Sequence, residues 1–144
     1  IGVECALNGA AKIIIVNRNA ERGTALCDAI SENTDAQAEY IPWDGAVPVP
    51  EQTDILVNAT CVGLFPDVNA CPDIDYDTIE KGMIVCDVVF NPAMPVFLQK
   101  ARQRGARTIS GLGMLVNQAA LNFEIWTDVK APREVMLEAL RREF

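Results

Sequence analysis

Two arginines one helical turn apart, Arg18 and Arg22, stand beside two asparagines in the run Asn17-Arg18-Asn19-x-x-Arg22. The run offers two guanidinium forks and two amides at one point of the chain. A guanidinium matches phosphate oxygens in pairs and does not lose its charge. The run follows Ile13–Val16, four consecutive β-branched residues of the kind buried on both faces of a parallel sheet. Asn19 is placed to cap a helix, with Glu21 in its first turn and Ala20, Gly23, Leu26, Cys27 and Ile30 on one face. Strand, tight turn and helix make half of a βαβ unit. In a dinucleotide-binding sheet the residue ending the second strand meets the adenosine ribose, and an acid there takes the free 2′-hydroxyl of NAD. No acid stands at this point, and the arginines suit a 2′-phosphate. They equally suit an i, i+4 pair on a solvated helix start, so the run alone leaves both readings open.

Two further stretches carry chemistry. Asp54–Asn58 is an apolar strand that ends in Asn58-Ala59-Thr60-x-x-Gly63. Small and polar residues at a strand's carboxyl end suit the floor of a ligand crevice, and plain turn chemistry explains them too. Gly111-Leu112-Gly113 opens a helix that sets Met114, Gln118, Leu121 and Ile125 on one stripe, widened by Leu115, Ala119, Phe123 and Trp126. On that stripe Gln118 is expected among apolar neighbours. A buried amide without partners costs about 2–7 kcal/mol, so it needs a backbone partner or a polar ligand. Met114 is either core filler or a contact for a flat ring.

The elements around these residues alternate strand and helix, the α/β signature. Ile1–Leu7 reads as helix stopped by Asn8-Gly9, and Ala20–Glu32 as the helix after the first strand. Ala36–Ile41 is a candidate edge strand, Pro42–Gln52 a Pro-rich loop and Asp67–Glu80 an acidic loop with a helical turn at Tyr76–Glu80. Met83–Val89 is the next buried strand. Pro95 opens a helix with Val96, Phe97 and Ala101 inward, Arg107–Ser110 is a short last strand, and Pro132 starts a helix with Val135, Met136, Ala139 and Leu140 as its inner face. A chain that opens inside a helix is expected to lack a first strand and a Gly-rich phosphate turn in front of it, and so reads as a fragment.

Composition sets the class. A chain of 144 residues with 50% hydrophobic residues has enough apolar content for a folded core. A net charge of −8 with no long basic run argues against a nucleic-acid surface. Five scattered cysteines without C-x-x-C, and no histidine, argue against a metal site or a disulfide framework and fit reduced thiols in the cytoplasm. No run is long enough for a membrane span, and the start is not a signal peptide.

Taken together, four motifs in order carry a resemblance: Asn17-Arg18-Asn19-x-x-Arg22, Asn58-Ala59-Thr60-x-x-Gly63, Asp87-Val88-Val89-Phe90-Asn91-Pro92 and Gly111-Leu112-Gly113-Met114-Leu115-Val116-Asn117-Gln118-Ala119. At these spacings the chain resembles the NADP-binding C-terminal domain of shikimate dehydrogenases over essentially its whole length. The resemblance implies a Rossmann-type α/β domain, a mostly parallel sheet with helices on both faces, lacking its first strand and Gly-rich loop. It implies NADP as cofactor and hydride transfer between 3-dehydroshikimate and shikimate on the route to chorismate. Residues 1–113 would form the cofactor domain, and residues 114–144 helices that pack back toward an N-terminal substrate domain, leaving Trp126, Val135 or Leu140 exposed or covered by a neighbouring chain.

Position by position, the resemblance gives Asn17, Arg18, Asn19 and Arg22 to the 2′-phosphate and ribose, and Ala59 and Thr60 to the adenosine side. Val88, the Gly111 carbonyl and Met114 fall to the nicotinamide end, and Gln118 and Phe90 to the substrate. The catalytic lysine and aspartate are expected in the absent domain, so the chain alone is expected to be inactive. Asn19 replaces a usual Thr, Phe90 a frequent substrate-contacting Tyr and Asp128 a Gly. A quinate or dual-substrate enzyme that can use NAD, and a non-catalytic nucleotide-binding regulatory module, are the alternatives. The implied partners are a small-molecule substrate and no nucleic acid or membrane, with a homodimer left open.

Overall fold

The computed structural model describes residues 1–143. The chain divides into two compact units, Ile1–Val47 and the remainder from Pro48. Residues on both sides of position 113 thus belong to the second unit.

In the first unit α1 (Gly2–Leu7) precedes β1 (Lys12–Asn17), α2 (Ala20–Asn33) and β2 (Gln37–Pro42). The strands pair in parallel with Asn17 opposite Pro42, and β2, expected as an edge strand, has β1 as its neighbour in this two-stranded sheet. Ala6, Ile30 and Ala36 are buried together with Ile13, Ile15 and Ala38 against them, so the β-branched run fills this core through alternate residues. On α2 the inward residues are Gly23, Cys27 and Ile30. Ala20 and Leu26, expected on that face, are exposed.

In the second unit β4 (Ile55–Asn58), β6 (Ile84–Asp87) and β7 (Arg107–Ile109) form a parallel sheet in the order β4-β6-β7. The Pro-rich stretch contains the two-residue β3 (Val47–Pro48), which pairs with β5 (Ile74–Asp75), and a 3-10 turn covers Tyr76–Thr78. Two residues are too few for either short strand to leave a period in the sequence. The core joins Val49, Ile79, Met83, Val85, Phe97, Leu98, Ala101 and Ala106. Helix α3 (Val96–Gln103) supplies three of these, and it turns Leu98 inward where Val96 was expected.

Helix α4 (Leu112–Thr127) buries Leu112, Val116 and Ala120, which is not the stripe expected. Met114 is 51% exposed, Leu121 52% and Ile125 77%, and Gln118 is exposed with them. The helix is apolar on two faces, so periodicity alone could not choose between them. In α5 (Arg133–Glu143) no residue is buried, contrary to the expected inner face: Val135 is 67% exposed, and Met136 and Leu140 are half-buried. Trp126, placed on the widened stripe of α4, is 79% exposed; exposure of Trp126 and Val135 is one of the two outcomes that the resemblance implies.

One glycine shapes the first unit. A Cβ at Gly23 would overlap the Tyr40 ring, so the ring of β2 lies directly on the backbone of α2. Gly23→Ala should therefore displace Tyr40 and lower stability by about 1–3 kcal/mol, the usual cost of overpacking. Gly113→Ala, where nothing lies within 4 Å of the added carbon, should be neutral or stabilising by up to about 1 kcal/mol. Urea unfolding of both variants checks the pair. Equal effects would mean that Tyr40 does not depend on the gap.

Candidate functional site

The first group of residues lies at the carboxyl end of β1. The Asn17 Oδ1 accepts from the Asn19 N–H at 2.9 Å, and the Asn19 Oδ1 caps α2 by accepting from the Arg22 N–H at 2.9 Å. The Asn17 carbonyl accepts from the Tyr40 hydroxyl at 2.9 Å and from the Trp43 N–H at 3.1 Å. Both amide oxygens are thus occupied in building the turn, and only their NH2 groups remain for a ligand. The side chains of Arg18 and Arg22 are different. Both residues are exposed, and neither guanidinium makes a hydrogen bond or ion pair among the described residues. A locked turn carrying two unpaired cations at a helix N-terminus is a fit for a dianionic phosphate.

The second group lies at the carboxyl ends of β4 and β6, where Asn58 and Asp87 stand opposite each other, each only 4% exposed. The Asn58 Nδ2 donates to the Asp87 Oδ1 at 3.0 Å and to the Val62 carbonyl at 3.2 Å. The Asn58 Oδ1 accepts from the Thr60 hydroxyl at 2.7 Å and from its N–H at 3.2 Å, and the Thr60 Oγ1 accepts from the Val62 N–H at 3.1 Å. The Asp87 Oδ1 also accepts from the Val89 N–H at 2.9 Å, whereas Oδ2 is buried without a partner. Burial pushes the Asp87 carboxyl above its ordinary pKa, and its hydrogen bonds from Val89 and Asn58 oppose the shift.

This network sets the backbone beyond the strands. The Val88 N–H donates to the Asn58 carbonyl at 3.1 Å. A Cβ at Gly111 would lie 2.5 Å from the Val88 carbonyl oxygen and 2.6 Å from that of Val89, so only glycine lets the start of α4 approach this edge. The Gly111 carbonyl, expected to face a ligand, accepts the first helical bond from the Leu115 N–H at 3.0 Å. Ala59 is exposed, and Thr60, Val88 and Phe90 are half-buried.

Gln118 is not the buried amide expected. It is exposed, donating to the Leu115 carbonyl at 3.3 Å and accepting from the Asn122 Nδ2 at 3.4 Å. The structure therefore gathers Thr60, Val88 and Gly111 around the Asn58–Asp87 pair and leaves Met114 and Gln118 on an open helix face. From sequence Asn58 has only a place in the crevice floor, and Asp87 has no role of its own. The available signal was an acid inside the apolar run Met83–Val89, since a charge in a buried strand must be paired.

Residues 111–141 match the family model described as the Shikimate 5'-dehydrogenase C-terminal domain. The chain is 37% identical, over 99% of its length, to the shikimate dehydrogenase (NADP(+)) of Desulforamulus reducens, of which it covers 50%. It superposes on the ligand-free 5-ketofructose reductase of Gluconobacter sp. strain CHM43 with a TM-score of 0.91 and 41% identity, covering 99% of this chain and 51% of that one. A shikimate dehydrogenase solved in complex with NADP+ gives a TM-score of 0.78 and 33% identity, covering 92% of this chain and 46% of that one. The chain spans about half the length of the curated relatives it matches. Among the described residues no helix is long and apolar enough to cross a membrane.

The buried acid gives a pH dependence whose sign follows from its raised pKa. The folded state holds the Asp87 proton at pH values where the unfolded chain has released it, so this group lowers stability as pH rises from the ordinary carboxylate pKa through the raised one. Asp87→Asn keeps an oxygen for Val89 and Asn58 and removes the charge. The stability difference between variant and wild type, from urea unfolding at several pH values, should move in favour of the variant as pH rises through that window. Movement the other way would mean that the hydrogen bonds outweigh burial.

Proposed function

We propose, proceeding from the fact that the chain belongs to the shikimate dehydrogenase family and matches its C-terminal domain, that it is the cofactor-binding part of an NADP-dependent shikimate dehydrogenase. The whole enzyme would interconvert 3-dehydroshikimate and shikimate in the cytoplasm, with no nucleic-acid or membrane partner. Cofactor choice is carried by the exposed and unpaired guanidinium groups of Arg18 and Arg22. In the first unit these two side chains hold the adenosine 2′-phosphate, with the NH2 groups of Asn17 and Asn19 beside them. In the second unit Ala59 and Thr60 take the adenosine side, and Val88, Gly111 and Met114 the nicotinamide end. Gln118 and Phe90 meet the substrate.

NADPH, when bound, supplies the hydride. The residues of this chain bind, orient and fix the backbone edge. Proton transfer is assigned to the lysine and aspartate of the family's substrate domain, since Lys100 is already committed to Cys71 and to the Tyr76 ring. One observation favours a second substrate. Both the TM-score and the identity are higher for the 5-ketofructose reductase than for the NADP+-bound shikimate dehydrogenase, and Phe90 stands where many shikimate dehydrogenases use a Tyr hydroxyl. On that reading the same cofactor part serves the reduction of a ketose.

In the full-length protein, Arg18→Ala and Arg22→Ala should each weaken NADPH binding about tenfold, the low end for a charged hydrogen bond because both groups are solvated. NADH binding should hardly change. Equal losses for both cofactors would remove the clamp. Gln118→Ala should raise the substrate KM with NADPH affinity and thermal stability unchanged, because its own contacts are long and exposed. Initial rates with shikimate, quinate and 5-ketofructose decide the substrate. Turnover confined to 5-ketofructose would replace the shikimate reading by the ketose one.

A further inference from the structure

Away from the residues assigned to the cofactor and the substrate, the second unit holds a nucleophilic pair. The Lys100 Nζ lies 3.3 Å from the Cys71 Sγ and 4.4 Å from the centroid of the Tyr76 ring. The two residues are 29 positions apart, one in the loop before β5 and the other on α3. Neither side is loosely held. The Tyr76 hydroxyl donates to the Pro72 carbonyl at 2.9 Å, and its ring meets Phe97 edge-on at 6.3 Å. Phe97, Leu98 and Ala101 anchor α3 in the core at 2% exposure or less. The amine is thus fixed by cation–π contact over one ring face and aimed at one sulfur. Both residues are only half-buried, so a small oxidant reaches them.

We propose that Cys71 and Lys100 form a redox modification site in which a hydroperoxide couples the thiol to the amine through a covalent S–N bond. The Lys100 nitrogen lies against the sulfur that meets the oxidant. The sulfur attacks the peroxide O–O bond and gives up two electrons, one oxygen leaves as hydroxide, and the sulfur becomes a sulfenic acid. The hydroxide takes a proton from the Lys100 ammonium and leaves as water. The amine lone pair then attacks the sulfur, the S–O bond breaks, and a second water departs. The sum is one thiol, one amine and one hydrogen peroxide going to one sulfenamide and two waters. The fixed contact makes this step effectively unimolecular, whereas exposed Cys61 has no such partner and remains a simple thiol. Ala70, next to Cys71, has its carbonyl 3.0 Å from where a Cβ on Gly63 would stand. The bridge would therefore pin to α3 the loop that continues the Thr60–Gly63 turn.

Treatment of the folded protein with one equivalent of hydrogen peroxide, then non-reducing denaturation and trypsin, tests the site. The expected product joins the Cys71 and Lys100 peptides with a mass two hydrogens below their sum, uncleaved after Lys100 and released by excess dithiothreitol. Lys100→Arg keeps a cation over Tyr76 but has no nucleophilic amine, so the bridge should fall at least tenfold and Cys71 should be trapped as sulfenic acid by dimedone. Cys71→Ser should give no bridge. Wild-type Cys71 that stays reduced, is oxidised without a link to Lys100, or pairs with Cys61 overturns the proposal, as does a bridge that persists in Lys100→Arg.

Discussion

The hydrogen bond between the buried Asn58 amide and the buried Asp87 carboxylate is the constraint on which the second unit rests. Parallel strands end with their backbone groups directed past the sheet, and ligands bind there in α/β folds. Such an end must be ordered without being closed. Asp87 does this by accepting from Val89 just beyond β6, while Asn58 hands Thr60, and through it Val62, into a turn beyond β4. The edge so fixed is what Gly111 packs against, and Gly111 starts α4. One polar pair therefore sets two loops and a helix entry. Its cost is a charged group in a place that raises its pKa and leaves one oxygen unsatisfied.

The first unit solves the same problem with neutral groups. Asn17 and Asn19 each turn an amide oxygen back onto the chain, and the Asn17 carbonyl gathers Tyr40 and Trp43. No buried charge is needed, because this edge is half-open and the turn is short. The two cations beside it are then free to act on something outside the chain. In a molecule of net charge −8 their field is local and is felt within about a Debye length, 8–10 Å at ordinary salt.

What the sequence made legible was what local chemistry decides. The strand Lys12–Asn17 contains the apolar run Ile13–Val16, Ile55–Asn58 and Ile84–Asp87 lie within the runs Asp54–Asn58 and Met83–Val89, and the cap of α2 follows from an asparagine ahead of a helical stripe. What escaped was what only tertiary packing decides. Met114, Gln118, Leu121 and Ile125 form a regular stripe, and so do Leu112, Val116 and Ala120; the second is the one buried, on a helix whose start at Gly111 lies against the Val88 and Val89 carbonyls. Gln118 was misplaced with the stripe it rode on. Val135 was expected inward because it is apolar, yet α5 buries none of its residues. Asn17 and Thr60 were read as ligand donors when much of their capacity serves their own turns, a use of short polar side chains that competes with any ligand role.

These two kinds of site carry different energetics. At the second unit's edge the backbone is held before any ligand arrives, so binding there loses little conformational freedom. At the first unit's edge the turn is held but the arginine side chains are not, and ordering such a side chain sets about 2 kcal/mol of rotamer entropy against the charged contacts it makes. A fixed surface suits the part of a ligand that all members of a ligand class share. A solvated, mobile charge suits the group that distinguishes one member from another, because the cost of ordering it is met only when the distinguishing group is present. The placement of Arg18 and Arg22 on a rigid capped turn reconciles the two: the Asn17–Asn19–Arg22 hydrogen bonds fix where the guanidinium stems begin, and leave only the side-chain ends to be ordered by a ligand.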